Sequence, residues 1–186
     1  MSSTDITTAT PALTPGIWNV DPSHSRVGFV ARHLMVTKVR GSFGGFSGTL
    51  TIAENPAQSR VEATVDASTI DTSDESRDGH LKSADFFDVE HFPTWSLVST
   101  SITPKGHDYE LAAGLTIKGV TKPVVFALEF EGVATDPWGN TKAGFTAETE
   151  ISRKEFGLEW NVALETGGVL VGDKVKIQLD IQAVRV

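Results

Sequence analysis

Hydrophobic and polar positions alternate along most of this chain. Between residues 26 and 33, Val27, Phe29, Ala31 and His33 fall on one face, with Arg26, Gly28, Val30 and Arg32 on the other. The same period of two recurs in Val61, Ala63, Val65 and Ala67, then in Leu111, Ala113, Leu115 and Ile117. It continues in Val124, Phe126, Leu128 and Phe130, in Ala143, Phe145, Ala147, Thr149 and Ile151, and in Val175, Ile177, Leu179, Ile181 and Ala183. Successive side chains of a strand point to opposite faces, so each row predicts a strand with one apolar face. Two less regular segments, near 39–52 and 94–103, bring the expected number of strands to about eight.

Turn chemistry separates the rows. Lys118-Gly119-Val120-Thr121 and Asp136-Pro137-Trp138-Gly139-Asn140 carry Gly and Pro where hairpin loops need them. In Phe43-Gly44-Gly45-Phe46 the aromatics are three apart, which strict alternation would place on opposite faces. A bulge at the two glycines would return both rings to one face and bend the strand sharply; the alternative is that one Phe lies outside. Residues 71–88 show no alternation, and Thr72-Ser73-Asp74-Glu75 fits a capping box, so a short helix over about 73–83 is expected there.

Strands with one apolar face each close into a sandwich or a barrel. The expected fold is all-β, an eight-stranded antiparallel barrel with one short helix in 71–88. A barrel of about eight strands is either filled by its own side chains or holds one small ligand. Small residues in the inward rows (Ala31, Ala63, Ala67, Ala113, Ala143, Ala147 and Ala183) favour space for an apolar guest. Phe and Trp side chains from other strands are the competing filling.

Composition narrows the function. The chain has 186 residues and a formal charge of −8, with no basic stripe, which argues against nucleic acid and against a polybasic grip on membranes. It has no cysteine, so disulfides, thiolate metal sites and Cys nucleophiles are excluded. Residues 1–16, rich in Ser, Thr and Pro, read as a flexible tail without secretory character, and 17–186 as one domain. No apolar run is long enough to span a bilayer. The expectation is a soluble, cytoplasmic protein with no stable membrane insertion.

The order of short motifs from Trp18 onward resembles the YceI-like family of lipocalin-like, polyisoprenoid-binding proteins. The carriers are Trp18-Asn19-Val20-Asp21-Pro22-Ser23-His24-Ser25, Val27-Gly28-Phe29, Arg32-His33-Leu34, and Val39-Arg40-Gly41-Ser42-Phe43. They continue in Arg77-Asp78-Gly79-His80-Leu81-Lys82-Ser83-Ala84-Asp85-Phe86-Phe87-Asp88, Phe92-Pro93, and Leu115 to Val124. Gly144-Phe145, Ile151-Ser152-Arg153-Lys154-Glu155-Phe156-Gly157-Leu158, and Val171-Gly172-Asp173-Lys174-Val175 complete the series. The resemblance implies an extended barrel with a long internal tunnel. It implies an isoprenoid or other long-chain lipid as partner, with the head group near the mouth, and no established catalysis.

On that basis the candidate lumen residues are Phe29, Ala31, His33, Leu34, Phe43, Phe46, Val65, Phe86, Phe87, Leu115, Phe145 and Trp160. For Trp160, capping of the core is the competing role, and for His33 a hydrogen-bond partner on a neighbouring strand or a buried water. Candidates for head-group contact are His24, Arg77, His80, Lys82 and Asp85, against a turn-locking role for His24 beside Asp21 and Ser23 and carboxylate pairing for Arg77 and Lys82. The acidic residues around Arg77 and Lys82 leave a neutral head group as plausible as an anionic one. No metal and no cofactor other than bound lipid is expected, and the exposed faces of the first and last strands leave room for a homodimer. The competing functions are a small-molecule-modifying enzyme using His33, His80, Asp85 or His24, and a solid-core regulatory or partner-binding module. No nucleophile elbow, zincin, phosphate-loop or dinucleotide motif supports the enzyme.

Overall fold

The computed structural model describes residues 12–165 and 167–186. Residues 1–11 of the expected tail lie outside the described residues. The strands are β1 (Gly16–Val20), β2 (Arg26–His33), β3 (Thr37–Phe43), β4 (Phe46–Ile52), β5 (Arg60–Asp66) and β6 (Ile70–Asp71). After the helix α1 (Glu75–Lys82) come β7 (Thr94–Lys105), β8 (Asp108–Ile117), β9 (Val120–Thr135), β10 (Thr141–Ser152) and β11 (Val171–Arg185).

These segments form one antiparallel sheet that closes on itself. β4, β5, β7, β8, β9, β10 and β11 follow one another around the barrel, and β1 joins β4 to β11. β11 is long enough to pair with β1 at one end and with β2 at the other. The turn at Pro22–His24 therefore interrupts what is one strand position. β3 and β4 share the next position and are broken only at Gly44-Gly45. The result is the expected closed barrel of eight strand positions.

Of the two readings of Phe43–Phe46, the structure has the bend at the glycines, since both rings face the interior. The hairpin loop expected over Lys118–Thr121 is shorter: the β8–β9 connection is Lys118-Gly119, both with positive φ (50° and 74°), and Val120 already belongs to β9. The helix starts later than the capping box suggests. Ser73 has a φ of 65°, and Asp74 is the N-cap, its carboxylate accepting from Arg77 N at 3.0 Å. Thr72 cannot cap because it is buried beneath the helix, where its hydroxyl donates to Asp78 at 2.5 Å.

The barrel has two differently finished ends. At one, Trp18, Leu50, Val133, Ala143 and Ala183 form a buried cluster, and Leu13 packs on it. The Trp18 indole donates to the Thr14 carbonyl at 3.0 Å. The last residues of the expected tail are thus part of the fold, with Gly16 already in β1. At the other end α1 and the segment after it cross the barrel, and Phe86 and Phe87 are buried against Phe43, Ile70, Leu115 and Ile117 in the main cluster.

Candidate ligand cavity

Between these two ends lies a cavity of about 440 Å³. That is within the ~300–1,000 Å³ typical of small-molecule sites. Its wall is built from the inward rows of the strands: Val27, Phe29 and Ala31 of β2, Val61, Ala63 and Val65 of β5, and Val175, Ile177, Leu179 and Ile181 of β11. Leu81, Phe86 and Phe87 close it at the helix end. It approaches the surface beside the turn after β4, where Glu54, Pro56 and Ser59 belong to the wall.

Of the candidate lumen residues, Phe29, Ala31, Phe43, Phe46, Val65, Phe86, Phe87, Leu115 and Phe145 all line the cavity. Three do not. His33 shares the parity of Phe29 and Ala31 but does not line the cavity; it pairs with the wall residue Val171 at the end of β2, past the register shift between Val171 and Val175. Leu34 follows in the β2–β3 turn at a φ of 53° and is 40 % exposed. Trp160 packs behind the wall, its ring 5.3 Å from Phe86 and 4.6 Å from the imidazole of His80. It therefore caps the end rather than lining the lumen.

None of the candidate head-group residues reaches the cavity. His24 Nδ1 lies 2.9 Å from Asp21 Oδ2 on the exposed turn between β1 and β2. Ser23 donates to the same carboxylate through Oγ (2.6 Å) and N (3.0 Å). These bonds, the Ser23 hydroxyl foremost, lower the Asp21 carboxyl from 3.8 to about 2. Arg77 donates through Nε to the Thr72 hydroxyl and through Nη2 to its carbonyl, both at 2.8 Å. It is a staple for the helix start. His80 Nε2 sits 2.9 Å from Asp85 Oδ2. Lys82 is half-buried and turned from the wall, because α1 presents Leu81 to the barrel. The segment's apolar residues plug the barrel while its polar ones lock the segment to itself.

Among the wall residues that the sequence pattern does not single out, Arg153 and Trp95 matter most. Arg153, at the start of the turn Arg153–Phe156, is 3 % exposed and lines the helix end of the cavity. Its guanidinium donates to the Gly172 carbonyl (2.8 Å), the Trp160 carbonyl (3.0 Å), the Val171 carbonyl (3.1 Å) and the Leu158 carbonyl. Burial pushes its pKa down, partly offset by Asp173. Arg153 thus clamps residues 158–160 to the start of β11. Trp95, at the start of β7, stands between Phe43 and Phe87 with ring centroids 4.9 and 4.8 Å away. Its motif neighbour Phe92-Pro93 was visible, but a single Trp in an irregular strand gives no parity signal.

Among the described residues no group of three or more His, Asp or Glu could hold a metal ion, and no helix is long and apolar enough to cross a membrane.

A closed antiparallel barrel around an apolar tunnel, capped by a helix, defines the lipocalin-like class. A family model for the YceI-like domain matches residues 18–183, and the chain belongs to that family. It is 39 % identical over 136 residues to Protein YceI of Salmonella newport, covering 73 % of this chain and 71 % of that protein. Protein YceI of Escherichia coli is 39 % identical over 137 residues, at 73 % and 72 % coverage. Among solved structures, Burkholderia cenocepacia BcnA superposes with a TM-score of 0.73 at 25 % identity, covering 88 % of this chain and 98 % of that one. A polyisoprenoid binding domain from Saccharophagus degradans, implicated in plant cell wall breakdown, superposes at 0.70 with 13 % identity, covering 93 % and 100 %. The latter likeness concerns the fold.

Proposed function

We propose that this protein binds a long apolar ligand, an isoprenoid or related lipid tail, in the barrel cavity for carriage, storage or sequestration, and does no chemistry on it. The observation that carries this reading is the 440 Å³ cavity whose wall is predominantly Val, Leu, Ile, Phe and Ala. Each buried methylene of a guest contributes about 0.8 kcal/mol, so chain length dominates affinity. Family membership supports the reading, as does the polyisoprenoid-binding description of the Saccharophagus neighbour. Against an enzyme, His24, His33, His80 and Asp85 all stand outside the wall. A solid-core module is disfavoured by the cavity itself.

Native mass spectrometry of freshly purified protein, followed by organic extraction, tests this. The expected result is a stoichiometric apolar adduct, and a rise in melting temperature when isoprenoids are added to stripped protein. Protein that carries no lipid and is indifferent to added isoprenoids would refute it.

A further inference from the structure

The β2–β3 turn carries two costs that stability alone does not explain. Leu34 and Met35 hold φ of 53° and 62°, where a β-carbon crowds the following carbonyl oxygen. Both side chains are exposed, and so is the next residue, Val36, at 75 %. The apolar exposure continues into the neighbouring segment. Leu34 N donates to the Leu170 carbonyl (2.8 Å), Leu170 N donates to the Val162 carbonyl (3.0 Å), and Val162 is exposed as well. Large apolar groups gathered on a surface in this way mark a contact site.

The charges behind the turn say what it contacts. Arg32 of β2 stands directly opposite Lys38 of β3, and Arg40 lies opposite Val30 on the same outer face. All three basic side chains are exposed, and none has an ion-pair partner among the described residues. Like charges directly opposite one another weaken a strand pair. No Asp or Glu occurs between Asp21 and Glu54. On β11, next to β2, Asp173 is already engaged by the Ser152 hydroxyl and the Lys154 N–H. The basic stripe missing from the linear sequence is assembled by the pairing of β2 with β3, on a chain whose overall charge is −8.

We propose that this hairpin docks the protein on an anionic lipid bilayer. Leu34, Met35 and Val36 enter the boundary between head groups and acyl chains, and Arg32, Lys38 and Arg40 meet the lipid phosphates. Lipid contact offsets both the apolar exposure and the like-charge juxtaposition. The grip is peripheral and reversible, and the barrel stays outside the membrane. A second copy of the chain would bring the same positive face to the contact and be repelled. Nucleic acid offers phosphates but nothing for a row of exposed aliphatic side chains. None of these six residues lines the cavity, so the inference goes beyond the lipid-binding reading and does not rest on it. Val171, the partner of His33, does belong to the wall, so docking holds that part of the wall close to the bilayer.

Flotation of the full chain with vesicles tests the idea. One set is phosphatidylcholine alone, the other phosphatidylcholine mixed with phosphatidylglycerol, each at low and at high salt. The wild type is expected to bind the anionic vesicles, to release them as salt rises, and to leave the neutral ones unbound. Arg32→Gln combined with Lys38→Gln should bind the anionic vesicles about thirtyfold more weakly, the effect of two surface cations. Leu34→Asn combined with Met35→Gly should lose about tenfold or more, although its turn is the better folded one. Binding no stronger to anionic than to neutral vesicles overturns the proposal, and so do hairpin variants that bind as the wild type does. A dimer that forms without vesicles and is lost in Leu34→Asn with Met35→Gly also overturns it, because a second copy would then cover the turn. The wild-type comparison of lipids and salt decides the matter even if a variant folds poorly. Extraction of a guest from the cavity is indifferent to all of these outcomes, so the two readings fail separately.

Discussion

The ring of Phe29 lies across the α-carbon of Gly41: a β-carbon built on that glycine would stand 2.5 Å from Phe29 Cζ. The two residues are partners on β2 and β3, so the absent side chain lets Phe29 lie flat along the cavity wall. Thr72 Cγ2, 3.0 Å from the same point, blocks any retreat on the other side. Gly41→Ala should therefore push the ring into the cavity. The expected loss is about 1–3 kcal/mol of stability by chemical denaturation, as for overpacked cores. Binding of long-chain ligands should weaken in parallel, and Phe29→Ala added to Gly41→Ala should restore it.

Arg153 provides a second test. Arg153→Met keeps bulk but leaves the carbonyls of Leu158, Trp160, Val171 and Gly172 without their shared donor. A loss of about 3 kcal/mol is expected, given the cost of buried unpaired groups. Hydrogen exchange should accelerate first over 157–172, and the Trp160 emission should shift to the red as the cap loosens.

Asp21 makes stability depend on pH. Its folded pKa of about 2 lies below the ordinary 3.8, so it contributes stability fully above the latter and loses it as pH falls toward the former. Asp21→Asn should be less stable than wild type by a constant margin above about pH 5, and the two should converge near pH 2. Parallel thermal melts across that range would show it. A gap that persists in acid would assign the effect to something other than the carboxylate charge.

In the β2–β3 turn, closed by Val36 N donating to the His33 carbonyl at 3.2 Å, the central residues Leu34 and Met35 have φ of 53° and 62°, where side chains with a β-carbon are strained. Asn-Gly suits this turn far better. Replacing Leu34-Met35 by Asn-Gly should stabilise the protein by about 1–2 kcal/mol. For a domain of this size that is roughly 2–8 °C in melting temperature. Ligand binding should not change, since neither residue touches the cavity.

Most of the barrel was legible because its signals are local. Alternation marks each strand and its inward row, and the glycine pair at 44–45 locates the bend that lets Phe43 and Phe46 share the lumen. Nine of the candidate lumen residues, from Phe29 to Phe145, follow from parity and the aromatic cap. Parity, however, says which face a residue occupies and not how far the lumen extends. His33 keeps the right face and still falls outside the lining, at the end of β2 where its register with β11 shifts. Leu34 fails for the same reason, one residue into the turn. Arg77 and His80 read as ligand contacts because their partners, Thr72 and Asp85, are set by the folding of an irregular segment that carries no period. Arg153 was hidden similarly: the alternation of β10 ends at Ser152, and nothing in the next residues announces a buried cation.

The seam of the barrel joins its first strand to its last, with Trp18 opposite Arg185. These residues are nearly the whole chain apart, and so the pairing carries a large loop-closure entropy. High contact order of this kind slows folding, toward the millisecond-to-second range. During synthesis β1 emerges early and must wait for β11, while the apolar faces of the intervening strands stay uncovered. The cavity does not exist until that last pairing forms. A lipid that lies against those faces beforehand would act as a template for closure, and loading would then be an event of biogenesis as much as of equilibrium exchange.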